Sequence, residues 1–190
     1  AQFVDKLGSM GVQARPEQIY TSARATARYL TDQYSDGGAV FMVGEVGLEQ
    51  ALEAAGFTIS DKDPVAVVVG LDSQVTYAKL RDATLLVRAG APLIGTNPDR
   101  TLPTPAGLVP GAGALIAAIE AASDARATII GKPQGAMLQN AMNDLGMTPE
   151  QTLMVGDRLE TDIAAGQAVG CRTALLLSGV TSEAAARAWQ

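Results

Sequence analysis

Leu153-Met154-Val155-Gly156-Asp157-Arg158-Leu159-Glu160-Thr161-Asp162-Ile163 is an apolar run that ends in Gly-Asp, with another aspartate five residues further on. The pattern predicts a strand with Asp157 at its carboxyl end, the edge at which open α/β sheets bind ligands. Gly156 lets the backbone approach closely, and Asp162 opens the following helix. Two carboxylates converging on one rim suit a hard divalent cation with oxygen ligands, Mg2+ first among them. A plainer reading makes Asp157 a turn residue and Asp162 a support for a helix N-terminus. On this stretch alone both readings stand.

Working outward, Gly131-Lys132-Pro133 follows a second apolar strand, Thr128-Ile129-Ile130. A lysine at that strand end could neutralise a phosphoryl group and a nucleophilic carboxylate. Its alternative is an ordinary surface lysine in the turn before Pro133. One helical segment separates Lys132 from the aspartate strand, so neighbouring parallel strands would set Lys132 beside Asp157 and Asp162. Gly111-Ala112-Gly113 lacks the third glycine and the preceding strand of a dinucleotide fingerprint and reads as a tight entry to a helix. Asp72, after the Val-rich run Val65–Leu71, reads as a turn residue, with a ligand contact as the alternative.

The rest of the chain alternates strand-like and helix-like segments, the pattern of an α/β fold. Helical spacing is seen around Phe3–Met10, Thr21–Gln33, Val46–Ala55, Tyr77–Ala89, Ala114–Ala122, Ala136–Leu145, Thr161–Val169 and Ser182–Trp189. Strands are expected at 39–43, 65–71, 92–95, 127–130, 151–155 and 172–177. The section from Thr96 to Gly113 is dense in Pro and Gly and is read as a stiff linker crossing between two domains.

Composition removes whole classes of chemistry. With no His among 190 residues there is no Ser-His-Asp triad, no His-ligated zinc and no His general base. A balance of 14 basic against 20 acidic residues argues against binding a nucleic-acid polymer. Cys171 is the sole cysteine, so no intrachain disulfide forms and a reducing cytoplasm is the expected setting. Val65–Leu71 is far shorter than the ~20 apolar residues of a membrane span. The chain starts without Met and without a signal-peptide pattern, and is read as a fragment.

Several ordered motifs join those already described. They are Ile19-Tyr20-Thr21-Ser22-Ala23, Val68-Val69-Gly70-Leu71-Asp72 with Thr76-Tyr77-Ala78-Lys79-Leu80, Gly90-Ala91, Thr96-Asn97-Pro98-Asp99, Pro103-Thr104 and Pro110-Gly111-Ala112-Gly113. Together with Gly131-Lys132-Pro133 and Gly156-Asp157-Arg158 they resemble the haloacid dehalogenase superfamily, in its NagD-like branch of 4-nitrophenylphosphatase and phosphoglycolate phosphatase type enzymes. The resemblance implies a Rossmann-like core, here an incomplete three-layer α/β/α parallel sheet, with an inserted α/β cap of the C2 type. Residues 1–21 would be a core remnant, 22–97 the cap, and 98–190 the core that carries the motifs. It implies a Mg2+-dependent phosphatase of small phosphorylated metabolites. Lys132 and Asp157 would be catalytic, Asp157 and Asp162 would lie at the metal, and Asn97, Asp99 and Lys132 would approach the substrate.

The family's Asp-x-Asp-Gly nucleophile motif and its Thr-Asn-Asn motif are absent from this sequence and are expected upstream of Ala1. Without them this chain alone would be inactive, and its core sheet would expose normally buried edges. A non-catalytic relative that binds a phosphorylated metabolite is the alternative. The resemblance also allows a homodimer through the cap.

Overall fold

The computed structural model describes residues 2–189. Its elements are α1 (Gln2–Ser9), α2 (Ser22–Gln33), β1 (Gly38–Val43), α3 (Val46–Ala54), β2 (Phe57–Ile59), β3 (Ala66–Val69), α4 (Tyr77–Arg88) and β4 (Leu93–Gly95). They continue with β5 (Thr101–Thr104), β6 (Gly107–Pro110), α5 (Ala112–Ser123), β7 (Thr128–Ile129) and α6 (Ala136–Leu145). The last are β8 (Leu153–Gly156), a π-helical turn (Leu159–Ile163) running into α7 (Ala164–Ala168), β9 (Arg172–Leu175) and α8 (Glu183–Ala188). Thr21 and Thr76 cap α2 and α4, each side-chain oxygen accepting a backbone N–H three residues on at 3.2 Å.

Five parallel strands form the main sheet in the order β2-β1-β3-β4-β7. Its central strand is a run of β-branched residues, and Val67, Val68 and Val69 are all fully buried. Such a continuous apolar run marks a strand covered on both faces. On one face Val40, Val68 and Ile94 pack against Ala27 and Leu30 of α2 and Leu48 and Leu52 of α3. On the other, Val43, Val67 and Val69 meet Ala83 and Val87 of α4 and Ile116 and Ile119 of α5. Burying each Val, Leu or Ile side chain contributes about 1.5–3 kcal/mol, so these two layers hold the sheet. At Gly95, α5 and β7 sit so close that an added Cβ would lie 2.6 Å from Ile116 and 2.7 Å from Ile129.

The Pro- and Gly-rich section does not separate two sheets. It folds as an antiparallel hairpin, β5 with β6, between β4 and α5, and its prolines lie in a two-stranded ribbon where the missing N–H groups are tolerated. After α5 the chain returns to the same sheet: Ile94 pairs with Thr128 and Gly95 with Ile129. The division at 97/98 therefore falls inside one sheet. The expected adjacency of the lysine and aspartate strands is corrected, because β7 neighbours β4 while β8 pairs in parallel with β9. Strand β2 was not expected either, since Phe57-Thr58-Ile59 is too short to show a period.

The β8–β9 pair is covered on one side. Met154 and Thr173 pack against Gly166 of α7, whereas Leu153 and Val155 are 52% and 47% exposed. Phe3 of α1 and Met10 just after it are more than half exposed. No described helix is long and apolar enough to cross a membrane.

Candidate active site

Asp157 follows β8, and the backbone there is shaped around Asp162. Asp162 is 5% exposed and its carboxylate accepts three hydrogen bonds. Lys132 Nζ donates to Oδ1 at 2.5 Å, and the N–H groups of Asp157 and Arg158 donate to Oδ2 at 3.1 Å each. Gly156 is required at the strand end because any Cβ would collide with the Asp162 side chain. The π-helical turn sets this up: the Arg158 carbonyl accepts from both Asp162 N and Ile163 N, at 3.0 and 3.2 Å. Thus Asp162 folds back over the strand end instead of pointing along the helix.

The carboxylate of Asp157 is oriented from the other side. Its Oδ2 accepts from Val180 N at 2.9 Å, and its carbonyl accepts from Thr181 N at 3.2 Å. A side chain at Gly179 would overlap the Asp157 carboxylate. Oδ1 takes part in no hydrogen bond among the described residues.

Lys132 reaches this cluster although its strand does not neighbour β8. Backbone bonds Ile130 N to Gly95 O at 3.0 Å and Gly131 N to Thr96 O at 2.9 Å extend the β4–β7 pairing past the strand end. They deliver Lys132 to the gap between the two sheets, with its side chain 36% exposed. Lys132, Asp157 and Asp162 then share the lining of a cavity of about 300 Å3 with Asn97, Asp99 and Arg158. Leu71, at the end of the β3 loop, supplies an apolar wall. All five residues expected at the site are thus in one place.

Asn97 and Asp99 are largely engaged with each other and with their surroundings. Asn97 Oδ1 accepts from Asp99 N at 3.1 Å, and Asn97 Nδ2 donates to Thr96 Oγ1 at 3.3 Å. The Asp99 carboxylate accepts from Arg158 Nη1 at 3.3 Å. Arg158 and the Gly179-Val180 backbone were not singled out from the sequence. The place of Arg158 directly after Gly-Asp was the available signal, whereas the Val180 contact depends on how the chain turns after β9. Asp72 is structural: its Oδ1 accepts from Gln74 N at 2.9 Å and its Oδ2 from Lys79 Nζ at 2.7 Å.

A larger cavity of about 620 Å3 lies between α2, α3 and α6 and includes Arg24, Arg28 and Asp144. It holds none of the expected site residues. As a metal site, the carboxylate rim supplies hard oxygen donors of the right chemistry. Asp157 has a carboxylate oxygen to offer, whereas both Asp162 oxygens already accept hydrogen bonds. No group of three or more His, Cys, Asp or Glu side chains placed to hold a metal occurs among the described residues.

Known proteins match this chain in sequence and fold. A family model described as HAD-hydrolase-like matches residues 129–190, and one described as haloacid dehalogenase-like hydrolase matches residues 1–58. The chain is 43% identical to an acid sugar phosphatase of Staphylococcus aureus over 182 residues, covering 95% of this chain and 70% of that protein. Among solved structures, a double mutant of the thermostable NPPase from Geobacillus stearothermophilus superposes with a TM-score of 0.91 at 45% identity, covering 96% of this chain and 73% of that one. NagD from E. coli K-12 superposes at 0.87 with 38% identity, covering 95% and 70%. The chain belongs to the haloacid dehalogenase-like hydrolases, in the branch that holds NagD and the p-nitrophenylphosphatases.

Proposed function

We propose that this chain is the greater part of a Mg2+-dependent phosphomonoester hydrolase that acts on a small phosphorylated metabolite through an aspartyl-phosphate. The attacking aspartate would come from sequence upstream of Ala1. The observation that carries this reading is the convergence of Lys132, Asp157 and Asp162 on one cavity, in a chain whose relatives include a sugar phosphatase.

Each residue has a role that follows from its surroundings. Asp157 would hold the cation through the oxygen that its Val180 contact leaves available. When bound, Mg2+ supplies positive charge to the phosphoryl oxygens. Lys132, fixed by Asp162, would offset the negative charge that gathers as a carboxylate meets a phosphate. Asp162 would act at the metal's periphery, since three donors already claim it. Asn97 and Asp99 would border the substrate, with Leu71 closing the apolar side.

The main sheet with α2–α5 would be the cap, of the C2 type, extending to Gly131, beyond Asn97. Residues from Lys132 onward would be core. Cap movement over the carboxylates would exclude water and select the substrate.

Phosphate release by the complete protein, measured over a panel of sugar and triose phosphates, tests the reading. Asp157→Asn should remove Mg2+-supported turnover, and Lys132→Ala should cut it by at least about a hundredfold. Tight binding of phosphorylated ligands without any release would favour a non-catalytic binding protein instead.

A further inference from the structure

Residues 153–189 touch the rest of the molecule through few polar contacts. Among the described residues, every hydrogen bond from this segment to anything before Gly131 comes from the guanidinium of Arg158. Nη1 donates to Asp99 Oδ1 at 3.3 Å and Nη2 donates to the Thr101 carbonyl at 3.4 Å. The Arg158 side chain is 21% exposed, so this is not a fully solvated pair.

Both ends of this bridge are held by further hydrogen bonds. At one end the Asn97–Asp99 turn is locked by the Asp99 N to Asn97 Oδ1 bond and by Gly113 N donating to Asp99 O at 2.9 Å. Gly111 and Gly113 press so closely on the Asp99 and Pro98 carbonyls that neither could carry a Cβ without displacing that turn. At the other end, the Arg158 N–H is one of the donors to Asp162, and Arg158 directly follows Asp157. A bare Asp99 carboxylate bordering a phosphate site would repel a dianionic ligand. Arg158 cancels that charge while using it as an anchor.

We propose that Arg158 is a positioning residue, and that Asp99 acts through it: the pair docks the Asp157 loop against the Asn97–Asp99 turn and sets the width of the site. The cation part of the test rests on the metal role proposed for Asp157, whereas the exchange part does not.

The test is hydrogen–deuterium exchange on the complete protein, with Mg2+ titration by calorimetry alongside. Arg158→Ala and Asp99→Asn should each speed exchange at the amides of Asp157, Arg158, Gly111 and Gly113 by on the order of tenfold. The double variant should be no worse than either single one, because both remove the same link. Arg158→Lys, which keeps the charge but satisfies one acceptor only, should recover part of the protection. Mg2+ affinity should fall by about tenfold in Arg158→Ala and be partly restored in Arg158→Lys, the behaviour of a residue that orients a ligand.

Additive effects, or exchange that rises on one side of the bridge only, would overturn the proposal. So would a change of less than twofold at Asp157 and Arg158 in Asp99→Asn. If Arg158→Ala does not fold, the near-isosteric Asp99→Asn decides. If the unaltered complete protein takes up no Mg2+, the metal reading falls and the exchange pattern alone decides this one.

Discussion

Replacing Asp162 with Ala removes an acceptor shared by three donors, and the cost can be worked from the geometry. Two of the donors are the backbone N–H groups of Asp157 and Arg158, both part-buried at 3.1 Å from Oδ2. A hydrogen bond to a charged acceptor contributes about 1.5–3 kcal/mol, and part of that can be recovered by water, giving about 2–4 kcal/mol for the two. The Lys132 ion pair would be worth more in a sealed interior, where losing one partner costs about 3–5 kcal/mol. Its side chain is 36% exposed, however, so solvent screening brings its share down to about 1 kcal/mol. The total is about 3–5 kcal/mol. For a chain of this size, each kcal/mol moves the melting temperature by about 2–4 °C. Asp162→Ala should therefore melt about 6–20 °C below the unaltered chain in a circular-dichroism scan. Asp162→Asn keeps an oxygen for the two N–H groups but turns an amide toward Lys132, and should lose about half as much. Equal losses in the two variants, or a shift under about 2 °C for Asp162→Ala, would refute the account of this acceptor.

Gly156→Ala should destabilise by about 2 kcal/mol or more in urea unfolding, since its Cβ would collide with the Asp162 side chain; an unchanged midpoint would contradict the packing described here. Thr26 is fully buried in α2 and its hydroxyl has no hydrogen-bond partner among the described residues. Thr26→Val should be neutral or stabilise by about 1 kcal/mol in the same assay, and a clear loss would mean the hydroxyl has found a partner. The Glu150 carboxyl is held below its ordinary pKa, first by a hydrogen bond with the Thr148 side chain and then by its own backbone. Its contribution to stability is present above the ordinary carboxylate range and fades as pH falls through the lowered value. In an NMR titration Thr148→Val should move the Glu150 pKa upward, and an unmoved value would remove Thr148 as the cause.

Most of the helices and longer strands were legible because their apolar spacing is set by one buried face, as in α2 and α4, or by complete burial, as in Val67-Val68-Val69. The site was legible for a related reason. Gly156-Asp157 and Gly131-Lys132 each end an apolar run, and ligands gather at the carboxyl ends of parallel strands, here the ends of two strands in different sheets. What could not be read was pairing. Thr128-Ile129-Ile130 has the same local pattern whether it joins β4 or β8, and backbone bonds from Ile130 and Gly131 to Gly95 and Thr96 decide the matter. The hairpin of β5 and β6 was hidden because Pro103 and Pro110 count against strands in general, although a two-stranded ribbon tolerates them. Arg158 was overlooked because its partners, Asp99 and Thr101, lie far away in sequence. Asp162 was expected at the metal, and what the sequence did not reveal is that its carboxylate also gathers three donors.

The most direct test of the central claim is a crystal structure of the complete protein grown with Mg2+ and orthovanadate, a mimic of the phosphoryl group. The account predicts Mg2+ bonded to a carboxylate oxygen of Asp157, with vanadate within hydrogen-bond reach of Lys132 Nζ and Asp162 still facing Lys132 and the two backbone N–H groups. Mg2+ bound away from Asp157, or vanadate held elsewhere with Lys132 facing solvent, would contradict it.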